Sequence, residues 1–237
     1  MPLPKLVSPT YELDLPSTGQ TIKYRPFLVK EEKILLIAME SEDEKQITNA
    51  IKTILKNCVI SKVKIDELAL FDIEYLFLNI RGKSVGEEIN LRLPCPDDNE
   101  TYVDVVINID EIKVSKSDDH DKNIKLNDSV GMVMKYPNLD MFIKNNFGDG
   151  NSEIDDVFEI ASTCIEQIYE GEDVYEVKNF TKKEVTDFLE SLNTEQFLMV
   201  QKFFETMPKL KHTVKVHNPN TGVESDVVIE GLANFFA

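Results

Sequence analysis

Residues Lys211 to Phe236 read KHTVKVHNPNTGVESDVVIEGLANFF. The stretch predicts a β-hairpin whose turn is rich in Asn, Pro and Gly, followed by an aromatic C-terminal segment. It echoes Leu91 to Val114, LRLPCPDDNETYVDVVINIDEIKV. At one constant offset Cys95 falls over His217, and Asp104-Val105-Val106-Ile107 falls over Asp226-Val227-Val228-Ile229. The fold expectation is therefore a pair of similar, knuckle-like β-hairpins with helical sequence between them.

Working back from the hairpins, Tyr11–Leu15 and Thr21–Tyr24 alternate around the turn Pro16-Ser17-Thr18-Gly19, which predicts an N-terminal hairpin. Residues 1–10, with three prolines, read as an extended arm. Val29–Met39 is helical in composition. Ser41-Glu42-Asp43-Glu44 opens a second helix, on which Ile47, Ala50, Ile51, Ile54, Leu55 and Cys58 share one face. A third helix, capped by Asp66 or Asp72, buries Ile73, Leu76, Phe77 and Ile80 and is expected to end at Arg81-Gly82.

Val114 to Asn123 is polar and charged and marks a linker. Beyond it the pattern gives strand, turn and strand over 124–136, a short helix over 139–144 and a loop over 145–152. An amphipathic helix over 153–169 follows, then a capping box at Thr181 and Glu184, then a last helix from Glu195 to about Thr206 capped by Asn193 or Thr194. The fold class is α+β, with a helical second half. The expected domains are 1–114, a linker over 115–123, and 124–237 closed by the second hairpin.

The 237 residues hold 26 Lys and Arg against 43 Asp and Glu, a net charge of −17. That excess of acid opposes nucleic acid, whose phosphates need cations, and it opposes anionic membranes. It suits a basic partner surface. Three scattered cysteines, Cys58, Cys95 and Cys164, make no disulfide framework and fit a reducing cytoplasm.

The sequence carries few motifs with recognisable chemistry. Gly82-Lys83-Ser84 lacks the earlier glycine of a phosphate loop, Phe77 standing in its place, and reads as a helix end with a basic surface spot at Arg81 and Lys83. Cys95 and His217 are the weak metal candidates, but two ligands do not make a structural zinc site. Asp149-Gly150-Asn151-Ser152 resembles a calcium loop, yet Ile154 and Ile160 occupy its Gly and Glu positions. His120 and His212 have no nucleophile or carboxylate at motif spacing. No catalytic residue and no cofactor is expected. Phe235 and Phe236, hard to bury at a terminus, join Arg81 and Lys83 as candidate partner-binding residues.

Several strings carry a family likeness. PLPKLVSPTYELDLPSTGQTIKYRPFLVKEEKILLIAMES at the start, Arg81–Glu87 (RGKSVGE), Val133–Leu139 (VMKYPNL) and the terminal GLANFF resemble the baseplate hub assembly proteins of T-even-like contractile-tailed bacteriophages. Residues Arg25 to Arg81 are also similar to phage tail assembly chaperones. The resemblance implies a late, non-enzymatic protein of the central hub, acting on other hub or tail proteins in the host cytoplasm and possessing a place in the virion. The alternative is an assembly chaperone for a hub or tail subunit, absent from the mature virion. It also implies cysteine pairs in both hairpin turns of some relatives, where this chain keeps only Cys95.

Overall fold

The computed structural model describes residues 6–41, 43–141 and 153–235. In chain order, β1 (Tyr11–Asp14) and β2 (Thr21–Tyr24) precede helices α1 (Val29–Glu40), α2 (Glu44–Cys58) and α3 (Leu70–Val85). Strands β3 (Glu88–Pro94), β4 (Tyr102–Asn108), β5 (Lys113–Ser115), β6 (Asn123–Lys125) and β7 (Val130–Met134) follow. Then come α4 (Glu153–Cys164), β8 (Ile165–Glu170), β9 (Asp173–Glu176), α5 (Lys182–Glu190), α6 (Thr194–Thr206), β10 (Lys209–His217) and β11 (Glu224–Glu230). The strands form small antiparallel sheets, so the α+β expectation holds.

Two compact units divide the chain. One joins Met1–Ser115 to Lys209–Ala237, and the other is Lys116–Pro208. The sequence reading placed the closing hairpin with residues 124–237, and the packing differs. Strand β10 is nine residues long; its first three pair with β5 and its last seven with β11, which puts the hairpin in the first unit's sheet. The expected linker over 115–123 is also largely structured. Ser115 ends β5, the His120 side chain is buried, and Asn123 starts β6.

In the first unit α3 is buried almost all round, with Phe71, Ile73, Leu76, Phe77, Leu78 and Ile80 in the core, as a helix apolar on every face requires. Two expectations for it fail. Ala69 caps it, and the first-turn carboxylate of Asp72 instead accepts hydrogen bonds from the Ser17 backbone N–H (2.9 Å) and hydroxyl. Gly82 does not end the helix. A Cβ there would sit 3.1 Å from Ile109 Cδ1, so glycine permits close packing, and the helix runs on to Val85 before Gly86 at φ 117°. Ser84 lies inside that helix, donating to the Ile80 carbonyl at 2.5 Å and accepting from Phe27 N–H at 2.9 Å.

Helix α2 follows its predicted stripe. Asp43 caps it by accepting from Lys45 and Gln46 N–H, and Ala50, Ile51, Ile54, Leu55 and Cys58 are buried. Helix α1 is held differently. Arg25 donates to the Pro26 carbonyl (2.8 Å), the Asn57 carbonyl (3.0 Å) and Glu31 (3.1 Å), and Glu31 also accepts the Leu28 N–H at 2.9 Å. Glu31 is fully buried on the inner face of α1. Burial pushes its carboxyl up, but the hydrogen bonds from Arg25 and Leu28 outweigh it and hold the group below its usual range.

The second unit is built on the sheet β6-β7-β8-β9. The helix expected over 153–169 stops at Cys164, and residues 165–170 form β8 instead. Ile168 pairs with Met132 of β7 on one side and Tyr175 of β9 on the other. Spacing alone put Ile168 on a helix face, and two ladders of backbone hydrogen bonds override it. At the pair Gly131↔Tyr169 the tyrosine ring occupies the space a Cβ would need. The core joins Met132, Met134, Cys164 and Ile165 to Leu189, Val200 and Phe203. Helices α5 and α6 begin with capping boxes, Thr181 with Glu184 and Asn193 with Gln196.

His120, in the stretch read as linker, packs into this unit. Its Nδ1 lies 3.0 Å from Thr206 Oγ1 and its Nε2 3.1 Å from the Tyr136 hydroxyl, with the Phe203 ring centroid 5.2 Å away. The calcium-like loop at 149–152, the second half (142–144) of the short helix over 139–144, and Phe236 lie outside the described residues.

Candidate functional site: docked hairpin turns

Each hairpin of the first unit turns in the same way. Leu15, Cys95 and Asn218 are buried, and each is followed by proline. Their carbonyls accept the N–H four residues on, from Gly19, Asn99 and Gly222, at 2.8 Å in every case. Those donor residues are left-handed, at φ 69°, 55° and 75°. The side chain just before, Thr18, Asp98 or Thr221, accepts the N–H two residues on, from Gln20 (3.2 Å), Glu100 (3.0 Å) or Val223 (3.3 Å). The turn thus occurs three times, where the sequence reading found two. The missed signal is Pro16-Ser17-Thr18-Gly19 beside Pro219-Asn220-Thr221-Gly222, a shared P-x-T-G.

Strand register corrects the constant offset. Leu91 pairs with Val105 and Val214 with Val227, while Cys95 N–H bonds the Thr101 carbonyl and Asn218 N–H the Val223 carbonyl. The second-hairpin turn is one residue shorter, so Cys95 corresponds to Asn218 and not to His217. His217 is exposed, between buried Val216 and buried Asn218, on the opposite side of the strand.

The turns of β3–β4 and β10–β11 dock on each other. The Asn218 amide donates to Asp97 Oδ2 (3.0 Å), Asp97 Oδ1 (3.1 Å) and Asp98 Oδ2 (2.9 Å). Thr221 Oγ1 donates to Asp97 Oδ2 at 2.6 Å, and Asn220 donates to Thr101 Oγ1 at 2.9 Å. The Asn218 side-chain Oδ1 accepts from the Asn220 N–H at 2.9 Å, so a fully buried side chain is satisfied at both ends. Hydrogen bonds from Thr221 and Asn218 hold Asp97 below the usual carboxylate range. Those from Thr101 and then Asn218 hold Asp98 well below it.

A structural metal does not fit these turns. Burial, then the Asp97 and Asp98 carboxylates, pushes the Cys95 thiol up, against the thiolate a metal needs. The amide nitrogen of Asn218 is no ligand. Among the described residues, no group of three or more His, Cys, Asp or Glu side chains could hold a metal ion.

Lys83 is ion-paired with Glu87 and lies 5.9 Å from the Tyr11 ring centroid, and Arg81 is half-buried, so the expected basic surface spot is mostly committed within the fold. Phe235 is fully buried, contrary to the expectation of an exposed aromatic end. The turn that carries it is anchored where Leu232 N–H meets Glu74 at 3.2 Å and Gly231 N–H meets the Leu210 carbonyl at 3.0 Å. Burial raises the thiols of Cys58 to about 11 and Cys164 to about 12, which keeps both protonated.

An exposed surface that the sequence reading overlooked lies on α1. With Glu31 and Ala38 facing inward, Val29, Leu36, Ile37 and Met39 are left facing outward, at 79%, 54%, 55% and 38% exposure, and Leu28 beside them at 44%. Its apolar run, ILLIAM, was read only as helix. Among the described residues no helix is long and apolar enough to cross a membrane.

No curated protein and no solved structure matches the chain. One family model does, over residues 8–237, from before the first hairpin to the end of the last. The chain belongs to the family described as T4 bacteriophage base plate protein.

Proposed function

We propose that this protein is a non-enzymatic assembly component of the central hub of the tail baseplate, working by protein–protein binding in the host cytoplasm. The outward face of α1 carries the proposal. Val29, Leu36 and Ile37 are more than half exposed on a helix whose opposite face is fixed by the buried Arg25–Glu31 pair. Exposed apolar residues on a fixed helix mark a partner site, and the exposed Lys33 and Glu40 among them give this face a polar component. The net charge of −17 favours a hub or tail subunit that surrounds its own apolar patch with basic residues, and it disfavours nucleic acid and membrane.

The test is a Leu36→Asp, Ile37→Asp double variant supplied during infection in place of the natural protein. Purified particles and assembly intermediates are then analysed by mass spectrometry. We expect the natural chain in the particle and co-purifying with hub subunits. The variant, with its melting temperature held, is expected to be lost from both. Natural chain on intermediates but absent from particles means a chaperone, and a variant that assembles normally removes α1 as the docking face.

A further inference from the structure

Structural zinc sites take paired ligands spaced two to four residues apart on a turn, one pair from each of two turns. In the docked turns here those positions are Cys95 with Asp98 and Asn218 with Thr221. Their backbones are superimposable in pattern: a buried first residue, a proline after it, and a left-handed fifth residue whose N–H returns to the first carbonyl. Only one of the four is a cysteine. Where a metal would join the turns, hydrogen bonds from Asn218 to Asp97 and Asp98 and from Thr221 to Asp97 cross between them.

We propose that this junction is a metal-independent clasp in which the Asn218 amide does the joining that a tetrahedral ion does between two such turns. The N-terminal hairpin supplies an internal comparison. It makes the same turn, places Leu15 at the first position, and docks through Ser17 on the Asp72 carboxylate of α3, again a donor of the turn on a carboxylate. The turn geometry is therefore self-sufficient in this chain, and its side chains decide what it grips.

Three measurements test the proposal on the full chain. Purified natural protein is assayed for bound metal and melted with and without a strong chelator. Metal below stoichiometric level and an unchanged midpoint are expected, and one bound zinc per chain or a chelator-lowered midpoint overturns the clasp. Separately, the triple variant Asp98→Cys, Asn218→Cys, Thr221→Cys, which keeps Cys95, is titrated with Co2+ and Zn2+. One equivalent of Co2+ with the visible spectrum of tetrahedral thiolate coordination is expected, with Zn2+ raising the midpoint. A variant that folds but takes no Co2+, or that fails to fold even with Zn2+, overturns the equivalence of the four positions. In the single variant Asn218→Ala, hydrogen exchange of the turn amides is expected to quicken about tenfold or more, and unchanged exchange contradicts the joining role.

Discussion

The Asn218 amide nitrogen lies 2.9 Å from Asp98 Oδ2 across 120 residues of sequence, and it is the central donor between two turns of identical backbone pattern. Asn218→Ala removes that donor and leaves two carboxylates facing each other without it. Hydrogen bonds to charged groups contribute roughly 1.5–3 kcal/mol each, and the partners can regain water, so a loss on the order of 2–3 kcal/mol is expected. Urea unfolding measures it. Asn218→Asp, which adds a third carboxylate, should be at least as damaging at neutral pH and recover partly in acid.

Glu74 gives the natural protein a pH dependence of its own. Burial, opposed by the Leu232 N–H and reinforced by the Glu230 carboxylate, raises its carboxyl from 4.5 to about 7. A raised acid stabilises the fold fully below its unfolded value of 4.5, and that stability is lost as pH rises through about 7. Glu74→Gln keeps an acceptor for Leu232 without the charge. It should match the natural protein near pH 4.5 and exceed it at pH 8 by at most about 3 kcal/mol, one pKa unit being about 1.4 kcal/mol. Melting temperatures across that range give the comparison. A constant difference between the two proteins would contradict the assignment.

His120 responds in the usual direction for a buried imidazole. Burial, with Lys116 and Lys122 nearby, lowers its pKa below 6.5, against the smaller pull of Asp121 and Asp119. Its neutral ring faces Thr206 on α6, Tyr136 after β7 and the Phe203 ring; Lys122 lies 4.3 Å from the Tyr136 ring centroid, and Asp119 is paired with Lys202 at 2.7 Å. Its contribution is present above pH 6.5 and lost as pH falls through the depressed native value. Imidazole NMR should show that depressed titration. His120→Ala should cost on the order of 2–3 kcal/mol at pH 7.5 and less at pH 5.

Asn99 is the one non-glycine residue with positive φ among the described residues, at 55°, where the other two turns use Gly19 and Gly222. Asparagine tolerates this region at a small cost that glycine avoids. Asn99→Gly should therefore stabilise by a few tenths up to about 1 kcal/mol, while Gly222→Ala should destabilise by roughly 1–2 kcal/mol. Chemical denaturation midpoints distinguish the two signs.

Much of the fold was legible because local chemistry and final structure agree. The capping boxes at Thr181 and Asn193, the apolar stripe of α2 and the three hairpins of the first unit are written in neighbouring residues. The failures are decisions made at long range. Ile165–Glu170 belongs to a strand because β7 and β9 flank it, and Gly82 sits mid-helix because Ile109 leans on it. Two of the named site residues, Cys95 and Phe235, were legible as unusual but not as buried. Asn218 was invisible as a site because its partners, Asp97 and Asp98, stand some 120 positions earlier and only the docked turns bring them together.

The discontinuous first unit also sets an order of events during synthesis. A ribosome delivers β3, β4 and the Asp97–Asp98 turn early, but the complementary turn emerges only after all of residues 116–208 have been made. At a bacterial elongation rate of about 5–20 residues per second, the early hairpin waits several seconds with its carboxylates unmatched. Residues 116–208, carrying a core of their own, have time to fold in that interval. Truncation anywhere before Asn218 leaves the first unit without its last sheet partner. Only a chain translated through to residue 230 therefore completes the sheet β5-β10-β11 of the first unit.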